Sequence, residues 1–238
     1  MKNKVLEYNN VEIKLDSELK ITKLSLIVNK GDFVFLIGKT GSGKSSILKS
    51  MYSENKIVKG EAKISKTNLK TIKEKEIPYL RRKIGIIFQD FQLLKDRTVY
   101  KNLEFVLNAT GWNNKNKINE RIELCLEKVH ISNLSDKYPS QLSGGQKQKV
   151  AIVRSLLNDP EIIIADEPTG NLDPKSSIEI MNVLKEINQN GNTIVMATHD
   201  FSLLKKYKGR ILRCKGGKIN EIQANELNIE TVYEWYQS

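Results

Sequence analysis

The stretch GKTGSGKSS, Gly38–Ser46, constrains the fold of this chain more than any other. It fits G-x-x-x-x-G-K-[ST] in full. It stands between an apolar run, Asp32–Gly38 (DFVFLIG), and the helix-like KSSILKSMY. The pattern needs that context: a buried strand delivers the chain, and a helix N-terminus supplies free N–H groups. Gly38, Gly41 and Gly43 let the backbone curl so that several N–H groups converge on phosphate oxygens. Lys39, Thr40, Ser42 and Ser46 complete the loop, Lys44 aims a point charge at β- and γ-phosphates, and the Ser45 hydroxyl is placed for Mg²⁺. A nucleotide such as ATP is therefore the expected ligand, and the fold is expected to be α/β.

Three further apolar runs read as strands of the same parallel sheet: residues 83–89 (KIGIIFQ), 161–166 (EIIIAD) and 192–199 (NTIVMATH). Residues 4–15 and 21–29 read as strands of a small antiparallel layer. From residue 98 to 158 the pattern turns helical, with Ile118, Ile122, Cys125 and Val129 at three- and four-residue spacing. The expected organisation is one domain over 1–222, with a core of 1–90 and 159–222 and a helical subdomain, 91–158, inserted between. In the tail, 223–238, Ile229, Val232, Tyr233 and Tyr236 recur at helical spacing and predict a short packed helix.

A loop that binds phosphate does not by itself hydrolyse it. In open parallel sheets, ligands sit beyond the carboxyl ends of the strands. Asp166 ends the run IIIAD, where a carboxylate can hold Mg²⁺ through water. Glu167 follows it, where a carboxylate can orient and polarise an attacking water. Gln89 and His199 close two other strand runs. A lone histidine is more often structural, but at this strand end His199 reads as a donor to the γ-phosphate. His130 has no such setting and reads as structural.

LSGGQ, residues 142–146, opens a second helix and presents another glycine-rich N-terminus. Taken with Gly38–Ser45, Gln89, IIIADE at 162–167, NLD at 171–173 and His199, it gives a set whose order and spacing resemble the ATP-binding-cassette (ABC) ATPases. The resemblance covers residues 1 to about 220. It implies a P-loop NTPase of ABC type, with a mainly parallel sheet, a small antiparallel layer and an inserted helical subdomain. Carried over by motif, Gln89 becomes the Mg²⁺- and partner-sensing glutamine, so that Ser45, Gln89 and Asp166 serve the metal. Glu167 becomes the catalytic base and His199 the switch; Lys44 serves the transferred phosphate. Asp173 falls in a loop that crosses a dimer interface.

The resemblance also explains why one chain carries two phosphate nests. ATPases of this family work as head-to-tail homodimers with ATP at the interface. Ser143, Gly144, Gly145 and Gln146 then complete the site of the neighbouring subunit. The family docks a helix of a membrane partner in a groove, here expected at Phe91, Leu93, Leu94 and Tyr100. Within the family, LRR-IG-IFQD, DRTVY, ADEPTGNLD and MATHD resemble most the bacterial cell-division ATPases. Those pair with an integral membrane protein and control peptidoglycan hydrolysis from the cytoplasmic face of the membrane. Lipoprotein-release and macrolide-efflux ATPases share ADEPTGNLD, and an ATP-dependent scaffold with slow hydrolysis is a reading of another class. One position departs from the pattern: where the family stacks an aromatic on adenine, this chain has Ile13, Lys14 and Leu15, and the nearest aromatic is Tyr8.

Composition adds exclusions. No apolar run approaches the ~18 residues of a membrane span, and the N-terminus has no apolar stretch like that of a signal peptide. Lys and Arg outnumber Asp and Glu by 39 to 28, for a net charge of +11. That excess suits an anionic membrane face. The lysines are scattered without aromatic interleaving, so no nucleic acid is expected as a partner. Cys125 and Cys214 match no metal spacing and are expected to be buried or idle reduced thiols.

Overall fold

The computed structural model describes residues 3–14 and 21–222. The helix expected in the tail lies outside the described residues. The chain opens with β1 (Lys4–Ile13) and β2 (Ile21–Asn29), which pair antiparallel. Residues beyond β2 turn into β3 (Phe33–Ile37), buried along its whole length, and the glycine-rich loop leads from it into α1 (Lys44–Met51). Then come β4 (Ile57–Ile64) and the short β5 (Thr67–Asn68), which extend the first layer to four strands in the order β2-β1-β4-β5. β4 passes so close to β1 that a side-chain carbon on Gly60 would lie 2.3 Å from the Asn10 carbonyl oxygen. Gly60 also has a positive φ, +81°, so glycine is needed there twice over.

A short α2 (Ile77–Arg82) feeds β6 (Ile84–Ile87). The helical block follows as α3 (Val99–Ala109), α4 (Lys115–Lys128) and α5 (Gly144–Leu156). Ile118, Ile122, Cys125 and Val129 are all buried, as their spacing predicts. The chain then returns to the sheet through β7 (Ile162–Asp166), α6 (Pro174–Gln189), β8 (Thr193–Thr198), α7 (Phe201–Lys206), β9 (Arg210–Lys215) and β10 (Lys218–Ile222). The main sheet runs β10-β9-β3-β8-β7-β6. Five of these strands are parallel, and β10 adds an antiparallel edge. β9 is a parallel strand beyond the four that the apolar runs mark.

The pleat of β3 divides the interior. Phe33, Phe35 and Ile37 face α5, α6 and the helical block, whereas Val34 and Leu36 face α1 and the antiparallel layer. Both faces of the parallel sheet are thus covered, which is why β3, β6, β7 and β8 read as apolar runs. α5 belongs to both parts of the chain: it packs on α3 and α4, and also on β6 and α6, within one core. At the β6 contact, a side-chain carbon on Gly85 would lie 2.6 Å from the Ser155 carbonyl oxygen.

Candidate functional site

The loop Gly38–Ser46 leaves the C-terminal end of β3, the central strand. Gly38 (φ +151°) fits because a side-chain carbon there would sit 2.4 Å from the Cys214 carbonyl oxygen and 2.7 Å from Ser42 Oγ. Gly43 (φ +99°) is the N-cap of α1 and offers no side-chain cap, so the first N–H groups of the helix are left for a ligand. The Lys44 side chain is buried, and its ammonium donates to the carbonyls of Gly38 (2.8 Å) and Lys39 (3.0 Å). These bonds hold the cation inside the curl of the loop. Lys39 and Ser46 are partly buried and Thr40 is exposed.

Three neighbouring strands bring the other groups to the same edge. The Ser45 hydroxyl donates to Asp166 Oδ1 at 3.1 Å, joining α1 to the end of β7. Burial pushes the Asp166 carboxyl above its usual range, with the Ser45 bond opposing and the Glu167 charge adding to the rise. Glu167 bridges two groups: one carboxylate oxygen is 3.9 Å from the Lys44 ammonium, and the other is 2.8 Å from His199 Nδ1. Glu167 adopts φ +47°, a left-handed conformation that costs a non-glycine residue about 1–3 kcal/mol. Its N–H donates to the Ala197 carbonyl (3.0 Å) and its carbonyl accepts from Gly170 N–H (3.0 Å), so the backbone around it enforces that conformation. Gln89 lies two residues beyond β6; its amide donates to Asn171 Oδ1 (3.4 Å), and Asn171 donates back to the Gln89 carbonyl (3.2 Å). A cleft of about 580 Å³ lined by Glu167, Gly170, Leu172 and His199 opens beside them.

The ABC transporter family model matches residues 21–170, which include the glycine-rich loop, LSGGQ and the Asp166–Glu167 pair. The chain belongs to the ABC transporter family. Among curated relatives it is 45% identical to the cell division ATP-binding protein FtsE of Bacillus subtilis, over 82% of this chain and 86% of that one. It is 37% identical to FtsE of Mycobacterium tuberculosis, over 90% and 93% of the two chains. Among solved structures it resembles the ATP-binding cassette MJ0796 in a dimeric post-hydrolysis state bound to ADP and Pi. The TM-score there is 0.79 at 34% identity, covering 92% of this chain and 98% of that one.

As in an ABC cassette, the second nest opens its own helix. Ser143 is the N-cap of α5: its hydroxyl accepts from Gln146 N–H (3.2 Å), and the Gln146 side chain accepts from Ser143 N–H (2.9 Å). This capping box is a structural reason for both residues. It accounts for neither glycine. Gly144 lies against Leu172 and Gly145 against Ser176, where an added carbon would come within 3.1 Å. Asp173 caps α6 by accepting from Ser176 N–H (3.0 Å) and Ser176 Oγ (2.5 Å), and these bonds hold its carboxyl below the usual range. LSGGQ and Asp173 therefore form one face, shared by the starts of α5 and α6. The glycine-rich loop is served by α1, β7 and β8 instead.

One sequence-based expectation, the exposed strip, changes, and the other singled-out residues find structural places. Tyr8 is buried against α1, in hydrogen-bond contact with Ser50 Oγ (3.0 Å), so it is no platform for adenine. The expected exposed strip narrows to Leu94; Phe91, Leu93 and Tyr100 are partly buried, with Leu93 and Tyr100 packed on the core. Cys214 is a buried free thiol, as expected, and it donates to the Ser42 carbonyl (2.9 Å), so β9 supports the phosphate loop. Cys125 is buried in the helical block, and His130 pairs with Glu186 at 3.2 Å, away from the site. Cys214 carries no motif, and Asn171, although it opens NLD, has no role that the motif states; only the fold reveals their place.

Proposed function

We propose that this ABC ATPase is the nucleotide-driven subunit of a bacterial cell-division complex. The observation that carries the reading is Glu167, held between Lys44 and His199 beside the Ser45–Asp166 pair. In this reading the backbone of Gly38–Ser46 and Lys44 bind the phosphates of ATP. Glu167 accepts the proton of the attacking water, and His199 orients Glu167 and meets the γ-phosphate. Ser45, Gln89 and Asp166 supply oxygen donors only, which suits Mg²⁺, a cation that keeps several waters and takes few protein ligands. Bound there by Ser45, Gln89 and Asp166, Mg²⁺ would neutralise the charge that develops on the transferred phosphate.

Two copies close around two ATP molecules, each Ser143–Gln146 facing the partner's nucleotide and each Asp173 loop crossing the interface. The dimeric MJ0796 cassette supports a homodimer. No described helix is long and apolar enough to cross a membrane. The chain then works at the cytoplasmic face of the membrane through an integral membrane partner resembling FtsX, with no role for nucleic acid. The relatives named FtsE support this reading over the lipoprotein-release and macrolide-efflux alternatives. Copurification of the FtsX-like protein from membranes tests it. Leu94→Glu, which places a charge on the exposed member of the groove, is expected to lose the membrane protein while binding ATP normally. Copurification with a transporter subunit of another kind would overturn the cell-division assignment.

A further inference from the structure

The segment between β6 and α3 carries unusual backbone. Phe91 and Gln92 both have positive φ, +60° and +48°, and neither is glycine. Left-handed conformations are uncommon for such residues, and two in succession need an outside restraint. The turn is closed locally by Gln92 N–H donating to the Asp90 carbonyl at 2.7 Å. A three-residue turn of this kind, with a positive φ at its centre, is rare and strained.

The restraint comes from α5. Arg154 reaches across and donates through Nη1 to the Gln92 carbonyl. Its guanidinium also stands 6.0 Å from the centre of the Phe88 ring. A hydrogen bond from a cation is about twice as strong as a neutral one. The segment is tied at its two ends as well: Gln89 exchanges bonds with Asn171, and Asn102 of α3 takes Leu94 N–H (2.8 Å) and gives to the Leu94 carbonyl (3.0 Å). Arg154 holds the middle, where the strain is. It sits on the same rigid helix as Ser143, about 16 Å along it at ~1.5 Å per residue.

We infer that Arg154 is a positioning residue for ATP hydrolysis: by pinning the Gln92 carbonyl it keeps the Phe91–Gln92 turn left-handed and so fixes Gln89 at the nucleotide site. The inference rests on the proposed role of Gln89. It also links the start of the partner groove to the helix that presents the second nest, through one side chain.

Turnover of the purified full chain with Mg²⁺ and ATP tests this. Arg154→Met removes the hydrogen bond while keeping an apolar stem over Phe88. We expect kcat to fall about tenfold with KM little changed, less than the ~10²-fold that a misplacement of about 1 Å can cause. Adding Gln92→Gly should restore most of the loss, because glycine takes a positive φ without strain. A residue that serves stability alone would shift the melting temperature and gain nothing from that glycine. Should Arg154→Met fold poorly, Arg154→Lys carries the test, since it keeps the charge and lacks the planar fork. Wild-type kcat in the arginine variants, or a loss that Gln92→Gly leaves untouched, would overturn the inference. Gln89→Ala is the separate control. A drop in kcat there with none in the Arg154 variants rejects the clamp alone, and wild-type turnover in Gln89→Ala rejects both the Gln89 role and the clamp.

Discussion

Asp166 and Lys44 are charged groups held away from water at the proposed site, and each can be tested by a single substitution. Burial raises the Asp166 pKa, so the folded chain holds a proton there more readily than the unfolded chain. The stability tied to that proton is present at low pH and is lost as pH rises through the raised pKa. At neutral pH the ionised carboxylate is therefore a cost to the fold. Asp166→Asn keeps an acceptor for Ser45 and removes the charge. We expect its melting temperature at pH 7 to exceed wild type by about 1–4 °C, with the gap closing at acid pH and ATP turnover lost. A lower melting temperature at pH 7 would contradict this account of Asp166. Lys44 is buried against backbone carbonyls, so Lys44→Ala removes a cation from the curl while leaving the glycines that shape it. Turnover should fall by at least ~10²-fold, as for other preorganised electrostatic contacts. An ATPase assay showing near-normal activity would remove Lys44 from the site.

At the scale of elements, the start of α5 has two explanations, a capping box and a nest for the neighbour's phosphate, and one substitution separates them. Aspartate caps a helix about as well as serine. Ser143→Asp should keep the melting temperature near wild type, whereas Ser143→Ala should lose about 0.5–2 kcal/mol of stability. The carboxylate of Ser143→Asp would face the γ-phosphate across the interface, so ATP-driven dimerisation should vanish. A Ser143→Asp protein that dimerises normally with ATP would leave the cap as the sole role of Ser143. The same scale shows what the sequence made legible. β3, β7 and β8 are covered on both faces, so they stand out as apolar runs, and the motifs at their ends could be placed before any coordinates. β9 escaped because Arg210, Arg213 and Lys215 break its run. Arg210 is polar at no loss to the strand, since it bonds Asp32 (2.7 Å) and Glu221 (2.9 Å). β4 escaped because its inward residues, Ile57, Ala62 and Ile64, straddle the irregular stretch of its pairing with β1 around Gly60 and so do not alternate regularly. Cys214 of β9 went unread for the same reason, and with it the support under the phosphate loop.

At the scale of the whole molecule, the two glycine-rich segments open different helices, α1 and α5, and in the proposed dimer each chain completes its neighbour's site. Glu167→Gln tests that division directly. Glutamine matches glutamate in size and can still hydrogen-bond to His199, but it cannot take a proton from water. ATP should bind normally, because in the proposed dimer the phosphate contacts would come from Gly38–Ser46 of one chain and Ser143–Gln146 of the other. With hydrolysis nearly stopped, the nucleotide that completes the interface is no longer consumed. A ligand that binds only the closed dimer stabilises it by mass action, by about 2.7 kcal/mol when present at 100 times its Kd. The Glu167→Gln chain should therefore run as a dimer in size exclusion with light scattering when ATP is saturating, and as a monomer with ADP. Combining it with Ser143→Arg should return it to a monomer even with ATP, because a bulky side chain beside Gly144 and Gly145 blocks the approach of the neighbour's phosphate. If the double variant still dimerises with ATP, the contact between chains does not run through the second nest. If Glu167→Gln alone stays monomeric at high concentration, ATP is not what joins the two copies.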